Sequence, residues 1–420
     1  MASEEELENH TRGFVAGVSG KFPYAVRAEE AKNRTGKTAR LTDDDLVKTT
    51  QAFVVDAPID PTREPDPDQS GFVAAGAKEG HGTGRRGVAL FGLEAPPRAP
   101  EGARRPVVAL VDSLVRPHPW LGDGGGSDPF WRDARTGPDG WRPFGDLPPE
   151  LAIGFALMGQ DDPRSTHAGH GTFLAGLVRQ IAPNSRVLSL PVMHRTGVVD
   201  DLLVQSALDW LLDRCRRAHP GHPDLFVDVV NLSFGEYLRG ARNVPQESPL
   251  LDTIRELGSL GVRVVASAGN RATDNPVIPA AWAPEDSDAE RSALVSVGAL
   301  DPDGDRAVYS NHGDWVQAQA PGTALVSTLP EFDHVPWPDT EFAGAGKGED
   351  PNLQASGFGL WSGTSFAAGW LSATIAKHLL DGGGDQLADV SPDAAKARAR
   401  TALAAARSDV ATLQASRAPG

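Results

Sequence analysis

Three short strings in a chain of 420 residues carry side chains suited to acyl transfer: VALVDS around Asp112, HGTFLAGLVRQIAP from His170, and SGTSFAAG around Ser365. A serine hydroxyl is a weak nucleophile until a neighbouring base takes its proton, and an imidazole serves best when a carboxylate holds its tautomer. Asp112 ends an apolar run, where burial penalises a carboxylate that lacks a partner. His170 stands just before Phe173, Leu174, Leu177, Val178 and Ile181, an apolar helical face. At a helix N-terminus the dipole favours a neutral imidazole able to accept a proton. Ser365 follows a Gly-Thr turn and opens a second helix, so its hydroxyl can enter a cleft while its own N–H points at an oxyanion. Each residue alone has a plainer reading: a turn or capping aspartate, a capping or core histidine, an ordinary serine N-cap.

Taken together, order and context narrow the choice. The strings run Asp, His, Ser, whereas an α/β-hydrolase runs Ser, Asp, His and needs glycine where Ala367 stands here. In VALVDS, GHGTFLAGLV and GTSFAAG the chain resembles the subtilisin-like serine peptidases, or subtilases. The resemblance spans roughly Pro106 to Leu380 and implies a serine endopeptidase with Asp112, His170 and Ser365 as catalytic residues. It further implies that Asn270, which closes VVASAGN, supplies the side-chain donor of the oxyanion hole. By the same resemblance Ser233, Phe234 and Gly235 of NLSFG form the edge along which the substrate backbone pairs. The chain departs from the family in having Leu114 where glycine is usual after the aspartate, and Gly369 where proline is usual after the serine.

Elements must hold these residues in place. Short apolar runs begin at Pro106, Arg186, Leu225, Val262 and Ala293, with helical patterns between them, clearest over Asp200 to Arg217 and Pro249 to Leu260. Continuous apolar strands separated by helices imply βαβ units: a three-layer α/β/α domain with a mostly parallel central sheet over 106–380. Its site is expected beyond the carboxyl ends of the strands. Residues 1–105 read as an N-terminal extension and Pro-rich linker, with Arg85-Arg86 and Arg104-Arg105 as candidate processing sites. Residues 381–420 read as a helical tail starting at Ser391-Pro392-Asp393. Leu121 to Glu150 and Leu329 to Gly359 read as surface insertions, the first accounting for the 58 residues between Asp112 and His170.

Composition bounds the partners. The 40 basic and 56 acidic residues leave a net charge of −16, which disfavours nucleic acid as a partner. One cysteine, Cys215, excludes an intramolecular disulfide, and the acidic start MASEEELENH lacks a signal-peptide pattern, so a cytoplasmic protein is expected. Nor does any window hold an apolar run long enough for a membrane span. The expected partner is therefore a protein or peptide substrate. No cofactor is required by the mechanism, and structural calcium, common in the family, has no ligand set assigned here. Asp301, Asp303 and Asp305 read as a polar turn, while His81-Gly82-Thr83 lacks the apolar helix that follows His170. The competing reading is a catalytically silent binding or regulatory protein on the same scaffold.

Overall fold

Along VVALVD the side chains divide strictly by parity. Val107, Ala109 and Val111 enter one hydrophobic cluster, while Val108 and Leu110 enter another on the opposite face. A strand buried on both faces reads as a continuous apolar run, as these six residues do. The structure, a computed structural model, describes residues 53–54, 86–88, 94–100, 102–145, 167, 169–193, 197–199, 201–238, 244–283, 293–330, 357–381 and 384–417.

The central sheet has seven strands: β1 (Val107–Asp112), β2 (Trp131–Asp133), β3 (Arg186–Pro191), β4 (Val229–Leu232), β6 (Arg263–Ser267), β8 (Leu294–Leu300) and β9 (Ala318–Pro321). Their spatial order is β9-β8-β6-β4-β1-β3-β2, and every neighbouring pair is parallel. From β1 the chain moves to one side, forming first the edge strand β2 and then β3 between them, and returns to build the other side from β4 outward. The strand order therefore reverses at β1, where an open parallel sheet leaves a crevice at its carboxyl edge. After β4 comes β5 (Glu236–Tyr237), and after β6 comes its antiparallel partner β7 (Val277–Ile278). An antiparallel pair, β10 (Leu325–Thr328) with β11 (Phe358–Trp361), lies outside the main sheet, with Arg86–Gly87 on the other side of β11.

Helices α2 (Asp201–Arg217) and α3 (Pro249–Leu260) cover one face through Leu203, Leu208, Leu211, Leu251, Ile254 and Leu257. Helices α1 (His170–Ile181) and α4 (Thr364–Asp381) cover the other through Phe173, Leu174, Leu371 and Ile375. The architecture is the expected three-layer α/β/α with a parallel sheet. The last helix, α5 (Pro392–Arg417), packs on α4 and α3 with Ala395, Ala399, Ala402, Leu403, Ala406 and Val410 buried at helical spacing.

Two segments lie deeper than their composition suggests. Part of the expected surface insertion, Trp131–Asp133, is the edge strand of the main sheet. Phe130, Trp131 and Phe144 are buried there, and Asp128 and Asp139 receive Arg105, Arg186 and the fully buried Arg214. A three-residue strand in Gly/Asp/Pro-rich sequence carries no periodicity, so its anchors are aromatic and ionic instead. Arg104 and Arg105 are likewise buried and ion-paired, with Asp228 and Asp128 respectively, which withdraws that dibasic pair as a processing site of the folded domain. Arg85, His81-Gly82-Thr83 and most of the second expected insertion lie outside the described residues.

Candidate active site

Asp112 is the last residue of β1, the strand at which the sheet order reverses, and is fully buried. Its Oδ1 accepts from its neighbour Ser113 N at 2.7 Å and from His170 Nδ1 at 2.8 Å. His170 is the first residue of α1, capped by Gly169, and only 1% exposed. Because Nδ1 donates to a carboxylate, the neutral ring carries its lone pair on Nε2. Nε2 and Asp112 Oδ2 are both buried without a hydrogen-bond partner among the described residues. Aromatic rings fix the imidazole plane: Phe366 lies 5.1 Å and Trp361 5.5 Å from it, centroid to centroid.

Ser365 stands in the first turn of α4, one residue before that Phe366. Its Oγ donates to the Ser233 carbonyl at 3.1 Å, and Ser233 Oγ donates back to the Ser365 carbonyl at 2.9 Å. Ser233 Oγ also accepts from Asn231 Nδ2, and Asn231 Oδ1 accepts from Ser372 Oγ, so β4 is stitched to α4 over two turns of helix. Ser233 follows the carboxyl end of β4, and Asn270 follows that of β6. The site therefore lies where an open parallel sheet leads it to be expected.

Asn270 is 2% exposed, and its Oδ1 accepts from Thr364 N at 2.8 Å and Thr364 Oγ1 at 2.9 Å. Thr364 Oγ1 in turn accepts from Gly269 N. An amide whose oxygen is engaged by two donors turns its NH2 to the opposite side. Sequence reading passed over Thr364, although its place directly before Ser365 is the signal. Of the expected substrate-pairing residues, Phe234 lies in the hydrophobic core and the Ser233 side chain is taken up by α4. The side chains of Ser233 and Phe234 are thus turned inward.

The departures from the family pattern have local reasons. At Gly369, α4 approaches α1 so closely that a Cβ would lie 2.5 Å from Leu174 Cδ2. Leu114 is buried, at 6% exposure. Other chemistry-bearing groups are set apart. Burial pushes the Cys215 thiol up to about 11, so it is protonated and inert at neutral pH. His167 sits 6.1 Å from His170, ring to ring, but its carbonyl, not its imidazole, accepts the His170 N–H. Asp301, Asp303 and Asp305 close a turn in which Asp301 N donates to Asp305 O. Among the described residues no three His, Cys, Asp or Glu side chains converge as a metal site, and no helix is long and apolar enough to cross a membrane.

The subtilase family model matches residues 104–405 of the sequence. The chain belongs to the subtilase family. The match starts at the buried Arg104 and runs into α5, beyond the three strings themselves. This subtilase is 26% identical over 200 residues to the minor extracellular protease Epr of Bacillus subtilis (strain 168), covering 45% of this chain and 26% of that protein. It is 27% identical over 210 residues to the thermophilic serine proteinase of Bacillus sp. (strain AK1), covering 46% and 44%. A cold adapted subtilisin-like serine proteinase of known crystal structure is 20% identical, with 70% of this chain and 80% of that one covered at a TM-score of 0.43. The chain spans less than half the length of the two Bacillus relatives.

Proposed function

We propose that this subtilase is a serine endopeptidase working through Asp112, His170 and Ser365. The observation that carries the reading is the buried 2.8 Å bond from His170 Nδ1 to Asp112 Oδ1, which leaves Nε2 as the proton acceptor. Ser365 Oγ rotates about χ1 from the Ser233 carbonyl and attacks the scissile carbonyl carbon as Nε2 takes its proton. The new C–O bond forms as the carbonyl π pair moves onto oxygen, and the Asn270 amide and Ser365 N–H meet that charge. Collapse expels the amine, which receives the proton from Nε2, and leaves an acyl-enzyme. Water then repeats the sequence and frees the acid and Ser365. Asp112 holds the tautomer throughout and stabilises the imidazolium.

The substrate is a protein or peptide whose backbone pairs with residues 233–235, and the enzyme acts on a restricted set of proteins inside the cell. The single cysteine supports the intracellular reading, since the chain has no second thiol for an internal disulfide. The alternative, a silent binding protein on this scaffold, draws on one observation: the Ser365 hydroxyl rests on a carbonyl rather than on His170. One experiment separates the two. Wild-type protein should cleave casein and react covalently with a fluorophosphonate, and Ser365→Ala should do neither. Labelling that persists in Ser365→Ala, or a wild type that never labels, overturns the proposal.

A further inference from the structure

The loop that carries Asn270 is held by a residue from a distant stretch of chain. Asn311 is fully buried, and its carboxamide is saturated by that loop and its surroundings. Its Nδ2 donates to Ala268 O at 2.8 Å and to Tyr237 Oη at 2.9 Å, while its Oδ1 accepts from Arg271 N at 2.9 Å and Thr273 N at 3.3 Å. Its main-chain N–H donates to Gly269 O at 2.9 Å. Asn270 is thus flanked on both sides by backbone groups bonded to a single side chain.

This loop needs such a clamp. Gly269 has φ +97° and Ala272 φ +51°, both in the left-handed region, which costs most for a residue with a Cβ and persists only where surroundings impose it. The clamp also sits too close for anything but glycine at 269, where a Cβ would lie 2.5 Å from Asn311 Nδ2 and 2.7 Å from Tyr237 Oη. Tyr237 ties the clamp to the other wall of the site. It ends β5, three residues beyond Phe234, and the Arg271 guanidinium lies 4.0 Å from its ring centroid. One side chain therefore joins the loop bearing Asn270 to the strand beside which the substrate is expected to run.

We propose that Asn311, with Tyr237 as its second anchor, is the positioning residue that sets the Asn270 amide against the developing oxyanion. It touches neither substrate nor nucleophile and acts through the loop. The proposal rests on the reading of Asn270 as an oxyanion donor. A buried carboxamide making three hydrogen bonds to a loop and a fourth to Tyr237 stops the small displacements that cost a preorganised donor most of its effect.

The test is a double-mutant cycle on kcat and KM of the full chain, using an internally quenched peptide that the wild type cleaves, with active sites counted by fluorophosphonate. Asn311→Asp keeps the acceptor for Arg271 and Thr273 but sets an oxygen against Ala268 O. It should lower kcat roughly 10- to 100-fold with KM within about twofold. On an Asn270→Ala background the same change should cost less than about twofold, because the group it positions is gone. If Asn311→Asp does not fold, Tyr237→Phe carries the same cycle with a smaller kcat loss that also vanishes on that background. Equal losses on both backgrounds, or a loss confined to KM, overturn the positioning role while leaving Asn270 as the donor. Wild-type kcat in Asn270→Ala alone overturns the oxyanion reading and the proposal with it.

Discussion

Ser233 and Ser365 grip each other twice: the Ser365 hydroxyl donates to the Ser233 carbonyl at 3.1 Å, and the Ser233 hydroxyl donates to the Ser365 carbonyl at 2.9 Å. The end of a central strand is thereby locked to the first turn of the helix that presents the proposed nucleophile. The Ser233 side chain thus supports the first turn of that helix. Ser233→Ala removes one of these bonds and deprives Asn231 Nδ2 of its acceptor. A loss of about 1–3 kcal/mol in stability is expected. A several-fold fall in kcat should accompany it, with KM little changed. Denaturant titration and steady-state kinetics check this; a raised KM with intact kcat would assign the Ser233 side chain to the substrate instead.

Asn270→Ala should cut kcat by about 100- to 1,000-fold, the size that loss of one oxyanion donor has in this class of enzyme. Thr364→Val tests the hold on that amide separately. It deletes the hydroxyl that bonds Asn270 Oδ1 and Gly269 N while keeping the Thr364 N–H bond. A kcat loss of roughly tenfold, smaller than for Asn270→Ala, is expected. Equal activity of Thr364→Val and wild type on one peptide would show that the backbone bond alone suffices.

Asp112→Asn keeps an oxygen for His170 Nδ1 but removes the charge that stabilises the imidazolium and puts an NH2 where the buried Oδ2 has no partner. Turnover should fall by about 10,000-fold, as it does in serine proteases whose aspartate is so replaced. Circular dichroism should be unchanged. Activity within tenfold of wild type would remove Asp112 from the mechanism.

The strings around Asp112, His170 and Ser365 could be read from sequence because local rules and chemistry coincide there: an apolar strand ends on a carboxylate, and two helices open on a histidine and a Gly-Thr-Ser turn. The parallel sheet was equally open to reading, since residues such as Val107 to Val111 are buried on both faces. What escaped notice depends on contacts distant in sequence. Trp131 pairs with Val187 in the sheet, and the flanking Asp128 and Asp139 are fixed by Arg105, Arg186 and Arg214. Asn311 looks like any loop asparagine until folding brings it against Ala268 and Tyr237. The family resemblance of NLSFG implies a substrate edge at Ser233, but the destination of its hydroxyl is a tertiary fact.

His118 offers a pH test away from the catalytic groups. Its Nε2 donates to Gly357 O at 2.9 Å and its Nδ1 accepts from Trp120 N at 3.0 Å, so only the neutral ring satisfies both. Burial lowers its pKa from 6.5 to about 4. With the folded value below the unfolded one, the unfolded chain binds the proton first. The histidine's contribution to stability is therefore fully present above about pH 6.5 and shrinks as pH falls to about 4. The stability gap between wild type and His118→Gln, from denaturant titrations at pH 7, 5 and 4, should narrow on acidification. A gap that is constant or widens would mean the ring is charged in the folded state.

Arg104 and Asp228 make the last prediction, because they fix the chain just before β1. Their side chains are 2% and 4% exposed, and the Arg104 guanidinium reaches both carboxylate oxygens, at 2.7 and 3.1 Å. It also donates to the carbonyls of Pro223 and Phe226, while Asp228 Oδ2 accepts from Val107 N at the start of β1. A buried pair of this kind is a weak source of net stability, but removing one partner strands the other charge. Asp228→Ala should therefore destabilise the protein by about 3–5 kcal/mol. Replacing both residues by apolar ones of similar volume should cost much less. The same burial protects the Arg104-Arg105 bond from proteases, since cleavage needs the backbone to leave the domain. Intact-mass analysis of purified wild type should find no N-terminus at Arg105 or Pro106; a chain cut there that remained active and as stable as the uncut one would show the pair to be dispensable.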